Sequence, residues 1–544
     1  MDDAFHLQPW ADLRHLRHFL DSLQPGRLVV CLLRKDLPFE IPNETRVYLQ
    51  KMGSTAVEFL GPGMTWTWVW VKGGHTIAEG VTFPTARDMA PRHLTHFEVE
   101  LTPKTEFCPE WPHNPHWEKR RDFCSRYERC GDLCDCQKPY VFNTTEQKLE
   151  SSVIENAVVV MVAHRVPDLY RSIKSLATAE GFNKSRLRVY TQTRDVELEE
   201  FLHLADVSLT VTNRSHDLVS THIARQIVFA LNDTLHKQPD ADFIIFLEED
   251  VRVSPDFFVF LNRSAELLRE DATLYCVSAH NDLSYPHTSY NAEVVLRAES
   301  YPNYGWMVQR SFAEEMVEVM SGIQTEFDWD VVTYYHIRRG RECIIPEVSR
   351  SQHFTFGGAH VSQWDARRFY SRKNLNEDST AVVKNVSDLK NETYEAYLNS
   401  LLDKAYFINS EEISPCRDDF FHLIPTEGQE VLVLFFYTDV DINLFRINIQ
   451  WKTLAECLGT FSIESREGHH GLYRMRYGPA HLFLIAYPAS PYSRFKPADI
   501  GVFNATLEEQ RYANYRSLPQ KMVYNLNAVD EVFGATKFKS RKIT

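Results

Sequence analysis

The spacing of apolar residues changes along the chain, and each change marks a new part. In residues 11–24, Leu13, Leu16, Phe19, Leu20 and Leu23 recur at helical spacing, and Pro25-Gly26 ends the helix. Strand-like runs follow at 27–33, 46–50 and 66–72. In the last, Trp66, Trp68 and Trp70 alternate with Thr67, Val69 and Val71, so the three indoles share one face. That face is either a core or a sugar-stacking platform, with Trp66 its candidate contact. From Asn156 the pattern becomes strand 157–163, helix 167–180, strand 187–191, helix 196–205, helix 216–236 and an apolar strand from Phe243. Alternation with short connections predicts an α/β domain with a parallel, right-handed sheet. Runs at 274–278 and 342–345 add strands, and a strand-rich region returns with 431–437 and 481–486. The expected parts are a β-rich stem domain over 1–98, a Cys-rich linker over 99–150 and an α/β domain over 151–424. A C-terminal subdomain over 425–528 and a tail over 529–544 complete them.

The strand from Phe243 carries the most chemistry. Phe243-Ile-Ile-Phe-Leu247 is five consecutive apolar residues, the signature of a strand buried on both faces. It delivers Glu248, Glu249 and Asp250 to the carboxyl edge of the sheet, where open α/β folds bind ligands. Three carboxylates there repel one another unless a cation or a hydroxyl-rich ligand sits among them. Oxygen ligands of this kind suit Mn²⁺ or Mg²⁺, ions that arrive with a phosphate-bearing partner. A solvated acidic turn opening the helix 255–268 would read the same way.

Composition narrows the partners and the compartment. The 544 residues are 44% apolar and 12% aromatic with a net charge of −15, and no broad basic stripe is present, which argues against nucleic acid. The short basic tail 537–542 does not alter this. Asn-x-Ser/Thr sequons stand at Asn43, Asn143, Asn183, Asn213, Asn232, Asn262, Asn385, Asn391 and Asn504, as in a secretory-pathway glycoprotein. Ten cysteines agree, five of them clustered at Cys108, Cys124, Cys130, Cys134 and Cys136. Lacking a second ligand pair at finger spacing, that cluster reads as a disulfide knot rather than a zinc site. No apolar run of about 18 residues exists for a membrane span, and the polar start Met1-Asp-Asp-Ala is no signal peptide. The expectation is a truncated N-terminus.

An ordered series of motifs then resembles a known family. They are Leu247-Glu-Glu-Asp250 with Asp256-Phe-Phe258, Leu274-Tyr-Cys-Val-Ser-Ala-His-Asn-Asp282, Gly305-Trp306 and Asp328-Trp-Asp330. Arg338-Arg-Gly-Arg-Glu-Cys-Ile-Ile-Pro346, Val348-Ser-Arg-Ser351 and Pro488-Ala-Ser-Pro-Tyr-Ser493 continue it. The series resembles the β-1,2-N-acetylglucosaminyltransferases of the GT-A (Rossmann-like) fold. Arg120-Arg-Asp-Phe-Cys-Ser125, Cys134-x-Cys136 and Lys72-Gly-Gly74 draw it toward the members acting on protein O-linked mannose. The N-glycan α-1,3-mannosyl branch lacks such a first domain and knot.

The resemblance implies an inverting, Mn²⁺-dependent transfer of GlcNAc from UDP-GlcNAc to the 2-hydroxyl of a mannosylated glycoprotein acceptor. It further implies a Golgi-lumen enzyme behind a type II membrane anchor that this sequence does not contain. Residue by residue, Asp250 is the implied metal ligand, Glu248 touches the donor sugar and Glu249 lies near the ribose. Arg165, Gln192 and His222 hold the nucleotide, Trp306 and Trp329 wall the sugar pocket, and Asp330 is the base. Cys276 and Cys343 match a family disulfide. A carboxylate base and a metal that neutralises a leaving diphosphate are what glycosyl transfer from a nucleotide sugar needs. The aromatic residues around Asp330 (Phe327, Trp329, Tyr334, Tyr335) would raise its pKa.

The chain also departs from the family. Gln192 stands where an aspartate usually meets uracil, and its amide can still bond the uracil edges. The segment Val331-Val-Thr-Tyr-Tyr335 after Asp330 replaces Trp-Met-Arg, with one residue deleted. The closing loop 357–363 matches poorly, leaving both His360 and Ser362 as its phosphate contact. Gly63-Met64 replaces an Arg-Asp pair before Trp66. Transfer to an N-glycan mannose and a non-catalytic glycan-binding protein are the competing readings.

Overall fold

The computed structural model describes residues 14–33, 43–57, 60, 65–73, 76–82, 108, 110–127, 130–142, 149, 151–212, 219–300, 304–354, 369–417, 419–425, 427–438 and 448–507. The loop 357–363 with His360 and Ser362, the pair Gly63-Met64 and the basic tail lie outside these residues. The chain forms two compact units, Met1–Phe142 with Val196–Asp206, and Asn143–Asp195 with Val207–Thr544. Among the described residues no helix is long and apolar enough to cross a membrane.

The first unit holds helix α1 (Arg14–Ser22), strand β1 (Leu28–Leu33), helix α2 (Asn43–Lys51) and strands β2 (Thr65–Val71) and β3 (Thr76–Thr82). The three strands form an antiparallel sheet in the order β1-β2-β3. Residues 46–50, expected as a strand, are helical. Val47 and Leu49 imitate an alternating pattern, but only Leu49 is buried while Val47 faces water. Arg46 secures the helix by donating to the carbonyls of Val57 (2.8 Å) and Leu60 (2.5 Å). Trp66, Trp68 and Trp70 are 5%, 0% and 1% exposed and stack on one another. The Trp66 indole donates to Glu79 at 2.9 Å. Its ring presents no stacking face, so the platform reading of Trp66 is corrected to a core.

Helix α3 (Pro115–Arg126) follows, capped by the Asn114 side chain and opened by Pro115. The Cys-rich segment is the expected knot: Cys108 bonds Cys136 and Cys124 bonds Cys134, with Cys130 outside both bridges. Helix α5 (Val196–Ala205) belongs to this unit, where Glu200 pairs with Arg126 at 2.7 Å.

The second unit is built on an eight-stranded mixed sheet in the order β10-β12-β9-β11-β7-β4-β5-β6. Its strands are β4 (Val158–Val162), β5 (Leu187–Thr191), β6 (Ser208–Val211), β7 (Phe243–Glu248), β9 (Leu274–Ser278), β10 (Val295–Ala298), β11 (Trp306–Gln309) and β12 (Glu342–Pro346). Strands β4 to β7 are mutually parallel as expected, and β9 parallels β12. The sheet is nonetheless mixed. The four-residue strand β11 runs antiparallel between β7 and β9, and β10 runs antiparallel to β12. Both are too short for the period-2 signal to stand out.

Helices α4 (Val166–Thr178), α6 (Val219–Lys237), α7 (Phe257–Glu270) and α8 (Arg310–Ser321) join the strands. Core residues of β7, α6 and α8 meet around Ile244, Leu231 and Met316. Cys276 and Cys343, register partners on β9 and β12, form the expected disulfide.

A five-stranded sheet closes the unit, ordered β14 (Tyr406–Phe407), β15 (Val431–Thr438), β18 (Ala480–Pro488), β17 (Leu472–Tyr477) and β16 (Gly468–His469). Cys416–Cys457 is a fourth bridge, which spacing had not suggested.

Candidate active site

The acidic triplet leaves β7 at the edge where β4 and β5 also end. Residues Phe243 to Leu247 are at most 2% exposed, so the strand cannot slip without exposing core. Strand β8 (Val251–Val253) then pairs with β13 (Ser351–His353), and the Phe354 amide donates to the Asp250 carbonyl at 3.0 Å. This ribbon fixes the backbone of Asp250 and places His353 beside it.

The three carboxylates divide their partners. Glu249 is buried and accepts from the amides of His164 and Arg165 and from Arg165 Nε (3.1 Å). It braces the loop after β4 rather than facing open space. Asp250 Oδ2 accepts from Arg165 Nη2 and meets His353 Nε2, both at 3.1 Å. Arg165 also reaches Asp168 at 3.1 Å, so one guanidinium ties Glu249 and Asp250 to a carboxylate in the first turn of α4.

Glu248 is exposed by surface area yet has protein atoms on most sides. Lost hydration, and then the charge of Asp250, push its pKa up to about 7. His353 is 3% exposed. Burial opposes its charge, but the bond to Asp250 and that carboxylate's charge outweigh burial and raise its pKa. Tyr304 and Tyr370 enclose its ring at 5.2 and 5.6 Å.

The nucleotide side gathers on the same edge. The loop after β4 carries His164 and Arg165, the loop after β5 carries Gln192, and the first turns of α6 carry His222. Gln192 Nε2 donates to the His222 carbonyl at 3.4 Å, and Thr191 Oγ1 lies 3.4 Å from His164 Nδ1. Arg165, Gln192, His222, Glu249 and Asp250, scattered over 85 positions between Arg165 and Asp250, therefore line one rim.

A tryptophan stack leads from that edge of the sheet toward Asp330. Because β11 is antiparallel, its first residue, Trp306, pairs with Phe246 at the carboxyl end of β7. Trp306 stacks between Phe246 (5.3 Å) and Trp329 (5.6 Å, 7° between planes). Both its faces are taken and it is 3% exposed, so Trp306 is corrected from pocket wall to the support beneath the half-buried Trp329. Asp330 follows in the short helix α9 (Trp329–Val332), and its Oδ1 accepts from the Val331 amide at 2.8 Å. The Phe327 amide donates to Thr221 Oγ1 at 2.9 Å, tying α9 to the residue before His222. The altered segment after Asp330 forms a π-helical turn, Thr333–Ile337.

His353 and His164 were not anticipated. The only signal for His353 is its place two residues after Ser351, on the same face of a short strand.

As a donor set, the rim offers the carboxylate oxygens of Glu248 and Asp250, the imidazole of His353 and an arginine held by carboxylates. These residues fit a hard divalent cation with a phosphate-bearing partner.

The GNT-I family model matches residues 149–420, half of the chain, and the model for "Interleukin-like EMT inducer" matches residues 2–74. The chain is similar to the alpha-1,3-mannosyl-glycoprotein 2-beta-N-acetylglucosaminyltransferase of Arabidopsis thaliana, 25% identical over 269 residues. That match spans 47% of this chain and 60% of the relative's length. Among solved structures, a mannosyltransferase from Pyrobaculum calidifontis in complex with GDP-Man and Mn²⁺ is 14% identical. It covers 46% of this chain and 69% of its own, with a TM-score of 0.26. A cytidylyltransferase from Leptospira borgpetersenii is 13% identical, covering 34% and 71%, with a TM-score of 0.22. Scores this low carry no weight beside the family match and the observed sheet. On that match and the α/β architecture that bears the acidic triplet, the chain belongs to the GNT-I family.

Proposed function

We propose that the protein is an inverting glycosyltransferase that moves GlcNAc from UDP-GlcNAc to the 2-hydroxyl of a protein O-linked mannose, forming a β-1,2 linkage. What carries this reading is the meeting of Asp250 and Arg165 at one sheet edge, with the Phe246–Trp306–Trp329 stack leading from that edge to the helix that bears Asp330. The family match and the relative's printed activity support GlcNAc transfer to a mannosyl glycoprotein. The first unit and its knot favour the O-mannose acceptor over an N-glycan mannose.

Asp250 would hold Mn²⁺, which supplies Lewis-acid neutralisation of the leaving diphosphate, and Glu248 would meet the donor sugar. Arg165, half exposed beyond its carboxylate contacts, is placed to meet the nucleotide's phosphates. Gln192 and His222 border the base and ribose side. His353 and Arg165 fix Asp250 so that its carboxylate does not turn on loading. Trp329 backs the sugar, and Asp330 takes the proton of the attacking mannose hydroxyl, so that attack from the face opposite the diphosphate inverts the anomeric centre. Four disulfides and nine sequons support a secretory, Golgi-lumen setting.

The test is transfer to an α-mannosyl-Thr peptide with UDP-GlcNAc and Mn²⁺. Transfer to a Man₅-type N-glycan but not to the peptide would replace the acceptor assignment. Sugar binding with no turnover on either would replace the enzyme reading.

A further inference from the structure

A second group of ligating side chains lies at the opposite edge of the large sheet. Glu342 is the first residue of β12, which parallels β9, so it sits at the end away from the acidic triplet. There it meets His469 on β16 and His470 in the turn that follows, both from the C-terminal sheet. One ligand atom from each of Glu342, His469 and His470 lies within 4.8 Å of the others.

We propose that Glu342, His469 and His470 form a second divalent-cation site, of the zinc type, that cross-links the two sheets of the second unit. Two imidazoles and one carboxylate are a standard zinc donor set, which leaves a position for water. The outer contacts give the cluster the build of a metal centre. His469 Nδ1 lies 2.5 Å from Glu342 Oε1, while its Nε2 meets Glu395 at 2.7 Å. His470 Nδ1 meets Glu299 at 3.2 Å, and its Nε2 lies 3.8 Å from Glu395. Glu342 Oε2 is held by Arg297 Nε at 2.6 Å. Arg297 thus holds the second oxygen of Glu342 and Glu299 holds Nδ1 of His470, while carboxylates meet both nitrogens of His469. That is how carboxylates orient ligating histidines around zinc.

The charges point the same way. Glu299, Glu342 and Glu395, with Asp271 on the far side of Arg297, face Arg297, Arg338 and His469, so the carboxylates outnumber the arginines. His470 is 41% exposed, which leaves water a path to the centre. The competing occupant is a proton. With Glu342 and Glu395 on its two nitrogens His469 makes a good imidazolium, and zinc would bind by displacing that proton.

The experiment uses the full chain, stripped with chelator, equilibrated with Zn²⁺, desalted and analysed for metal by elemental mass spectrometry. Co²⁺ substitution adds a spectroscopic readout of coordination. The wild type and Asp250→Ala, which removes the cleft's candidate ligand, should each retain about one zinc per chain and show intense visible cobalt bands. His470→Ala, at an exposed position, and Glu342→Gln should bind zinc at least about tenfold more weakly. A wild type that retains no zinc overturns the proposal without reference to any variant. So does His470→Ala with unchanged zinc content, or loss of the zinc in Asp250→Ala.

Discussion

The pair Asp256–Arg350 offers a sharp test of how the acidic edge is held. Arg350 Nε donates to Asp256 Oδ2 at 2.9 Å, and the two residues are 0% and 1% exposed. Ser254 Oγ donates to the other Asp256 oxygen at 2.6 Å. The remaining Arg350 nitrogens reach the carbonyls of Val348 and Ala292. Around them the Ser254 amide bonds the Arg350 carbonyl and the Arg350 amide bonds the Ala279 carbonyl, so the pair clamps β8 and β13 together. Removing one partner strands the other charge without water, which costs about 3–5 kcal/mol. For a unit of this size that is roughly 2 °C per kcal/mol, so Asp256→Asn or Arg350→Met should lower the melting temperature by about 6–10 °C. The double variant should cost little more than either single, giving a coupling nearly as large as one single's cost in a cycle read by urea unfolding and near-ultraviolet circular dichroism. Additive singles, or singles under about 1 kcal/mol, would refute the clamp.

Other outcomes follow from the same geometry. His353→Ala should weaken Mn²⁺ binding in the presence of UDP-GlcNAc by about 10–100-fold, measured by electron paramagnetic resonance, with His353→Gln recovering part of it. Trp329→Ala should raise the KM for UDP-GlcNAc at unchanged fold, because it removes the ring stacked on Trp306. In the first unit, burial would raise the Glu79 pKa, but bonds from Ser54, Thr55 and Trp66 overcome this and lower it. Its folded pKa lies below the unfolded value, so its contribution to stability is full above about pH 4.3 and falls as pH drops through the folded pKa. Glu79→Gln should flatten that acid dependence of tryptophan fluorescence.

The sequence made the buried strands legible where they are apolar throughout, as in β4 and the run Phe243–Leu247 of β7. It was poorer where elements are short or partners distant. Helix α2 imitates alternation because Val47 and Leu49 are both apolar, and only the tertiary setting buries one of them. Strand β11 has four residues, too few for a period, yet it carries Trp306 under the site. The acidic triplet was visible as chemistry, but its division of labour was not. That Glu249 is occupied with the loop after β4, and that His353 is bonded to Asp250, depend on contacts across 85 and 103 positions that no local pattern encodes. The tryptophan face of β2 was predicted as a face, and burial decides that it is core.

The most direct measurement separates binding from turnover at the two aspartates. Isothermal titration of UDP-GlcNAc with Mn²⁺ should show Asp250→Ala losing donor binding and Asp330→Asn retaining it, while both lose transfer to the α-mannosyl-Thr peptide. Donor binding unchanged in Asp250→Ala, or full transfer by Asp330→Asn, would contradict a nucleotide-sugar site at this sheet edge.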